Sequence, residues 1–178
     1  MYVNIQMGLY NVCGNVRQRS KIKGMICYVV GYAEKIDWHL PNILCQFVDR
    51  GYVCFCFDHF GHGRSDGLWT FVPEFGLMVE NAVLMCNYAK RKYVDKEFKG
   101  VLNRTRNVFL LGTSMGGAIS IHVSLIQPDD WRGLLLVAPM CSIDDNVLLY
   151  ILFHSLSLSR SLSLSSFCVC VCVCRFFL

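Results

Sequence analysis

The chain is predicted to be an α/β protein, a doubly wound, mostly parallel sheet with helices on both faces, and three observations predict it. Residues 25–30, 52–57, 108–111 and 134–137 are almost continuously hydrophobic, the pattern of strands buried on both faces of a parallel sheet. Segments with apolar residues at helical spacing separate most of these runs. The third run passes directly into Gly112-Thr113-Ser114-Met115-Gly116, a Gly-x-Ser-x-Gly turn between a strand and a helix.

Taken in order, residues 1–15 alternate loosely, with Val3, Ile5, Met7 and Leu9 in phase, and read as one or two antiparallel edge strands. The run 25–30 ends at Gly31. A helix should follow, with Asp37 as N-cap, Pro41 in its first turn, Ile43, Leu44, Phe47 and Val48 as its apolar stripe, and Gly51 as its stop. A second helix is expected from Pro73 to Lys92. Phe75, Met78, Val79, Ala82, Val83, Cys86 and Ala89 line one face, and Lys90, Arg91 and Lys92 close the last turn, where cations complement the dipole. Residues 95–107 read as a polar connector. Past Ser114, the residues Ala118, Ile119, Ile121 and Leu125 give a third helix an apolar face, and 134–137 is the last strand of the set.

The chemistry of the glycine-flanked serine explains its residue types. A serine at a tight strand-to-helix turn has a strained backbone, and glycines two positions to either side let strand and helix pass closely. Its hydroxyl is then exposed and aimed. The N–H of Met115 would lie at a helix N-terminus, where partial positive charge can meet a developing oxyanion. Ser114 is thus the candidate nucleophile and Met115 a candidate oxyanion donor.

Composition narrows the remaining classes. The chain has 178 residues, 54% of them hydrophobic, and a mean hydropathy of +0.40, which is high for one globular domain. The net charge is only +4 with the cations scattered, so no basic stripe argues for nucleic acid or an anionic surface. Eleven cysteines would suggest a disulfide framework in a small secreted chain, but residues 1–10 lack a basic segment followed by an apolar one. A reducing compartment, and hence a cytoplasmic location, is expected. No Cys-x-x-Cys spacing marks a zinc site, and no cofactor is expected. Cys13, Cys27, Cys45, Cys86 and Cys141 are dispersed among apolar neighbours, where a free cysteine behaves as a small hydrophobe.

Beyond Asp145 the character changes, and the chain divides into residues 1–146 and a low-complexity tail, 147–178. Residues 155–165 alternate Ser and Leu around Arg160, and 168–174 alternate Cys and Val. A TC dinucleotide repeat translates as Ser-Leu and a TG repeat as Cys-Val, so the tail reads as translated repeat DNA. Two alternatives stand beside this. Residues 147–153 and the Cys-Val block are apolar and would give weak membrane association, although neither approaches the roughly 20 residues needed to span a bilayer. The tail cysteines would otherwise form a metal site, but strict alternation puts them on one face of a strand rather than around a tetrahedron.

A second constellation, Asp58-His59-Phe60-Gly61-His62-Gly63-Arg64-Ser65, follows the strand ending at Phe57, at the sheet edge where open α/β sheets bind ligands. Together with 111–118 and the stretch from Trp131 through Ala138-Pro139-Met140-Cys141, it resembles the monoacylglycerol lipase branch of the α/β-hydrolases. That group is also described as serine aminopeptidase-like or lysophospholipase-like, and plant-type members are the most similar. The resemblance covers residues 24–147. It implies that Ser114 is the nucleophile and Met115 N–H one oxyanion donor. It implies a second donor, Tyr32 N–H, from the loop that reads His-Gly-x-Gly-Glu or Asp in the family and Val30-Gly31-Tyr32-Ala33-Glu34 here. Val30 replaces a histidine that normally supports this loop, and Ala33 replaces a glycine. Asp58, His62, Gly63 and Ser65 match a turn whose role in the family is mainly structural.

In the α/β-hydrolase order an acid and then a histidine follow the serine, with a lid between. The lid would begin near 142–147, and no later segment matches the acid or histidine loop. Asp129, Asp130, Asp144 and Asp145 are the carboxylates after the nucleophile, and all four read as solvated turn residues. His122 and His154 follow no acid loop. The expected function is a serine hydrolase that cleaves carboxylic esters, of monoacylglycerol or lysophospholipid, through an acyl-enzyme. It is expected to be truncated before the lid and last strands, inactive as given, and left with an uncovered edge on strand 134–137. The alternatives are a non-catalytic acyl-binding protein and a membrane-tethered fragment. The expected partner is a small-molecule ester or lipid.

Overall fold

A computed structural model describes residues 7–10, 22–36, 40–97, 99, 107–141 and 171–174. Its strands are β1 (Met7–Tyr10), β2 (Gly24–Val29), β3 (Tyr52–Phe57), β4 (Val108–Thr113), β5 (Gly133–Val137) and β6 (Val171–Cys174), in one sheet of spatial order β1-β3-β2-β4-β5-β6. The four central strands are parallel, while β1 and β6 pair antiparallel at the two edges. The chain winds outward from β2 to β3 and then crosses back to β4 on the other side of β2. The loops after β2 and β4 therefore leave the same sheet edge side by side, at a topological switch point.

The near-continuous apolar runs are explained by two buried faces. Met25, Cys27 and Val29 of β2, with Val53, Phe55 and Phe57 of β3, pack with Met78, Ala82 and Cys86 of α2 (Phe75–Ala89) and with Ile119 and Val123 of α3 (Met115–Ile126). The alternate residues Ile26, Tyr28, Cys54 and Cys56 meet Leu44 of α1 (Leu40–Asp49) on the opposite face. The α/β class, the doubly wound winding and the mostly parallel sheet are therefore as the sequence predicts. Gly51, with φ 91°, ends the turn after α1, where its N–H donates to Val48 O at 2.9 Å. Asp37, Asp144, Asp145, His154 and Cys13 lie outside the described residues.

Five expectations are corrected. The second helix starts at Phe75 and, after Ala89, continues in wide π turns from Lys90 to Glu97, so residues 95–97 are helical rather than connector. Ala89, Lys90, Tyr93 and Val94 are all buried, and the wider turn keeps this four-residue spacing facing inward. Lys90 is accordingly not a solvated dipole partner. Its Nζ is buried, 2.5 Å from Asp130 Oδ2, 3.3 Å from Gln127 Oε1 and 4.3 Å from the centre of the Trp131 ring. Asp130, read as a solvated turn residue, is thus the partner of a buried cation. Cys27, Cys54, Cys56 and Cys86 are buried as expected, but Cys45 and Cys141 are exposed. Finally, the edge of β5 is covered: Leu135 stands opposite Val173 and Val137 opposite Val171 in an antiparallel ladder. The period-two Cys-Val block has the residue types of a strand, and β5 presents the unpaired backbone groups that such a strand satisfies.

Candidate active site

The site grows from the end of β4. Ser114 has φ 50° and ψ −121°, a conformation that L-residues rarely adopt, and its side chain is exposed between strand and helix. Its backbone is fixed from every side. The N–H donates to Val137 O at 3.0 Å, and the carbonyl accepts from Gly117 N at 2.9 Å and from Met140 N at 2.9 Å. The flanking glycines are demanded by close approach. A Cβ on Gly112 would lie 2.4 Å from Gly116 O, and one on Gly116 would lie 2.2 Å from Val29 O and 2.3 Å from Val30 O. Pro139 closes on Gly117 in the same way, at 2.8 Å.

Met115, buried, is the first residue of α3, and its N–H belongs to a turn whose donors have no intrahelical acceptor. The loop after β2 lies against the serine: a Cβ on Gly31 would stand 3.3 Å from Ser114 Cβ and 3.2 Å from Glu34 Oε2. Tyr32 follows, half-buried, with its ring edge-on to His62 at 5.7 Å. Ser114, Met115 and the Tyr32 loop are thus brought together, as adjacent strands β2 and β4 require.

The loop after β2 has supports that sequence reasoning missed. Val30, standing where the resemblance implies a histidine, has its carbonyl 3.0 Å from His59 Nε2, which therefore carries the proton and donates. Glu34 Oε2 accepts from Gly31 N–H at 2.7 Å and from Thr113 Oγ1 at 3.3 Å, and Tyr28 OH lies 2.8 Å from Thr113 Oγ1. The acidic residue that ends the loop pattern was the signal for Glu34; nothing in the spacing pointed to His59.

The Asp58 turn is built around its carboxylate. Oδ1 accepts from Ile36 N–H at 2.8 Å, Oδ2 from Arg64 N–H at 3.0 Å, and the Asp58 carbonyl from Ser65 Oγ at 2.7 Å. Gly63, at φ 55°, approaches so closely that a Cβ would lie 2.1 Å from Asp58 Oδ2. Burial pulls His59 down to about 4 and lowers His62 below its ordinary value, so both rings are neutral at pH 7. His122 is exposed on α3 and meets Phe75 edge-on, with the ring centres 5.6 Å apart. Asp129 and Asp130 precede β5, at the sheet edge opposite Ser114 and roughly a strand length of 16 Å away.

A sequence profile of the family described as serine aminopeptidase, S33, matches residues 20–165. The chain belongs to that family. Among curated relatives, it is 35% identical to monoglyceride lipase of Rattus norvegicus over 134 residues, 75% of this chain and 40% of that protein. It is 30% identical to caffeoylshikimate esterase of Arabidopsis thaliana over 129 residues, 72% of this chain and 36% of that one. A solved soluble variant of monoglyceride lipase from Saccharomyces cerevisiae superposes with a TM-score of 0.64 at 15% identity, over 86% of this chain and 46% of the other, which shows the common α/β-hydrolase fold. The chain therefore spans well under half the length of the curated relatives it matches.

Proposed function

We propose that the complete S33 domain to which these residues belong hydrolyses carboxylic esters, of the monoacylglycerol or lysophospholipid type, by acyl transfer through Ser114. The observation that carries this reading is the exposed Ser114 side chain on a strained φ 50° backbone between β4 and α3. Its Oγ attacks the ester carbonyl, and Met115 N–H and Tyr32 N–H receive the negative charge that forms on the carbonyl oxygen. The C–O bond to the alcohol breaks as the proton lost by Ser114 passes to the leaving oxygen, and water then attacks the acyl-enzyme, releasing the acid and returning a proton to Ser114 Oγ. The names of the curated relatives, a monoglyceride lipase and a caffeoylshikimate esterase, support an ester substrate.

In this reading the described residues supply Ser114 with no base: His59 and His62 are buried, His122 lies on α3 edge-on to Phe75, and Asp130 is engaged by Lys90 at the far sheet edge. In this reading the 178-residue polypeptide by itself is catalytically deficient, because a serine hydroxyl without a base is a poor nucleophile. Turnover of a 4-nitrophenyl ester and fluorophosphonate adduct mapping test both parts. The expected result is no turnover above a Ser114→Ala control. Turnover that Ser114→Ala abolishes would locate a working base within these residues and overturn the deficiency. An adduct on another side chain, with Ser114 unmodified, would overturn the nucleophile assignment. Among the described residues no helix is long and apolar enough to cross a membrane.

A further inference from the structure

The two proposed oxyanion donors sit on different loops, Tyr32 after β2 and Met115 after β4, and nothing covalent fixes their separation. One carboxylate joins the two loops. Glu34 Oε2 accepts from Gly31 N–H at 2.7 Å on the first loop and from the hydroxyl of Thr113, the residue before Ser114, at 3.3 Å on the second. A carboxylate accepts only, so the Thr113 proton points to Glu34, and Tyr28 OH, 2.8 Å away, must donate to Thr113. The result is a directed chain, Tyr28 to Thr113 to Glu34, with Gly31 N–H entering the same oxygen. Charge assistance makes these bonds stronger than neutral ones.

We infer that Glu34 is a positioning residue that ties the β2 loop to the nucleophile turn and so sets the spacing of the Tyr32 and Met115 N–H groups; this rests on the acyl-transfer reading above. Two features show why the tie is needed. Ala33 has φ 58°, a strained backbone that relaxes unless held. Gly31 is crowded by both loops, with Glu34 and Ser114 each within 3.3 Å of where its side chain would start. His59 secures Val30 O, the other end of the same amide, so the single Val30–Gly31 peptide unit is clamped at both its carbonyl and its N–H. A misplacement of about 1 Å in such a site costs on the order of 100-fold in rate.

Amide hydrogen exchange on the 178-residue chain reads the loop without requiring chemistry. In Glu34→Ala, protection at Gly31 is expected to fall about tenfold or more, with the core amides of Leu110 and Ile119 unchanged. The downfield amide proton of Gly31 should move upfield. Glu34→Gln, which retains an acceptor oxygen, should restore most of the protection, and Glu34→Met, which keeps the bulk without a carboxyl oxygen, should not; a simple packing role would let both restore it. Because Thr113→Val breaks the same bridge, the losses of Glu34→Ala and Thr113→Val should be less than additive in the double variant. Unchanged protection at Gly31 in Glu34→Ala, or a loss shared equally by the core amides, would overturn the assignment, as would strict additivity. These readouts are independent of turnover, so an inert Ser114 bears on the catalytic reading alone.

Discussion

Ser114 holds its backbone at φ 50° only because its neighbours are small, and the neighbours can be told apart by what a methyl group would strike. Gly116→Ala would push a Cβ to 2.2 Å from Val29 O and 2.3 Å from Val30 O, two backbone atoms that cannot step aside. It is expected to cost at least about 3 kcal/mol in urea unfolding. Gly76, on the first turn of α2, meets only Glu74 Oε1 at 3.6 Å, and Gly76→Ala should be neutral or stabilising by up to about 1 kcal/mol. His59 carries the pH dependence. Burial holds its folded value at about 4 against an ordinary 6.5, so between those limits the unfolded chain binds more protons than the fold. Stability is then full above pH 6.5 and falls as pH drops toward 4, by about 3 kcal/mol from this ring. His62 acts in the same direction. Denaturant titrations at pH 7.5 and 4.5 should show the loss, and His59→Gln, which keeps a donor for Val30 O, should remove most of it. The serine and the Met115 N–H were legible in the sequence because the Gly-x-Ser-x-Gly spacing states a backbone requirement. His59 was not, since its partner is a carbonyl, and every residue has one.

Among the elements, the strands were legible and the helix ends were not. Buried strands announce themselves through uninterrupted apolar runs such as Tyr52–Phe57, whereas the segment after Ala89 is strongly charged and still folds inward. What hides in the sequence is that Lys90 finds its anion forty residues later, at Asp130, beneath the Trp131 ring. A local pattern cannot reveal so distant a pairing. Removing Asp130 leaves a buried cation with Gln127 as its remaining close acceptor. Since Asp130 is itself 29% exposed, Asp130→Ala should cost about 3 kcal/mol, the lower end for breaking a buried pair. Adding Lys90→Met to that variant should recover much of the loss, because the apolar replacement removes the stranded charge. Thermal unfolding of Asp130→Ala, of Lys90→Met alone and of the double variant checks the sign and the non-additivity.

For the whole molecule, the sequence conveys the class, the winding and the position of the site, because all three follow from strand order and from the crossing between β3 and β4. It fails at the margin of the sheet, where the low-complexity segment supplies β6 opposite Leu134–Val137. Composition flagged that segment as foreign, but backbone hydrogen bonding is indifferent to origin. If β6 shields β5, then the tandem change Cys172→Pro with Val173→Pro, one of which must remove an N–H directed at β5 because adjacent N–H groups of a strand face opposite sides, should increase self-association. Sedimentation velocity at matched concentrations would detect it, and an unchanged distribution would show that the pairing has no protective effect. Under the dinucleotide-repeat reading, this pairing also has a genetic consequence. A repeat that grows or shrinks in frame adds or removes amino acids in Cys-Val pairs, which is the period of a pleat. Polymerase slippage at such a locus would slide the strand along its neighbour by whole pleats and leave every remaining residue on its original face, so the sheet edge can absorb length variation that a helix could not.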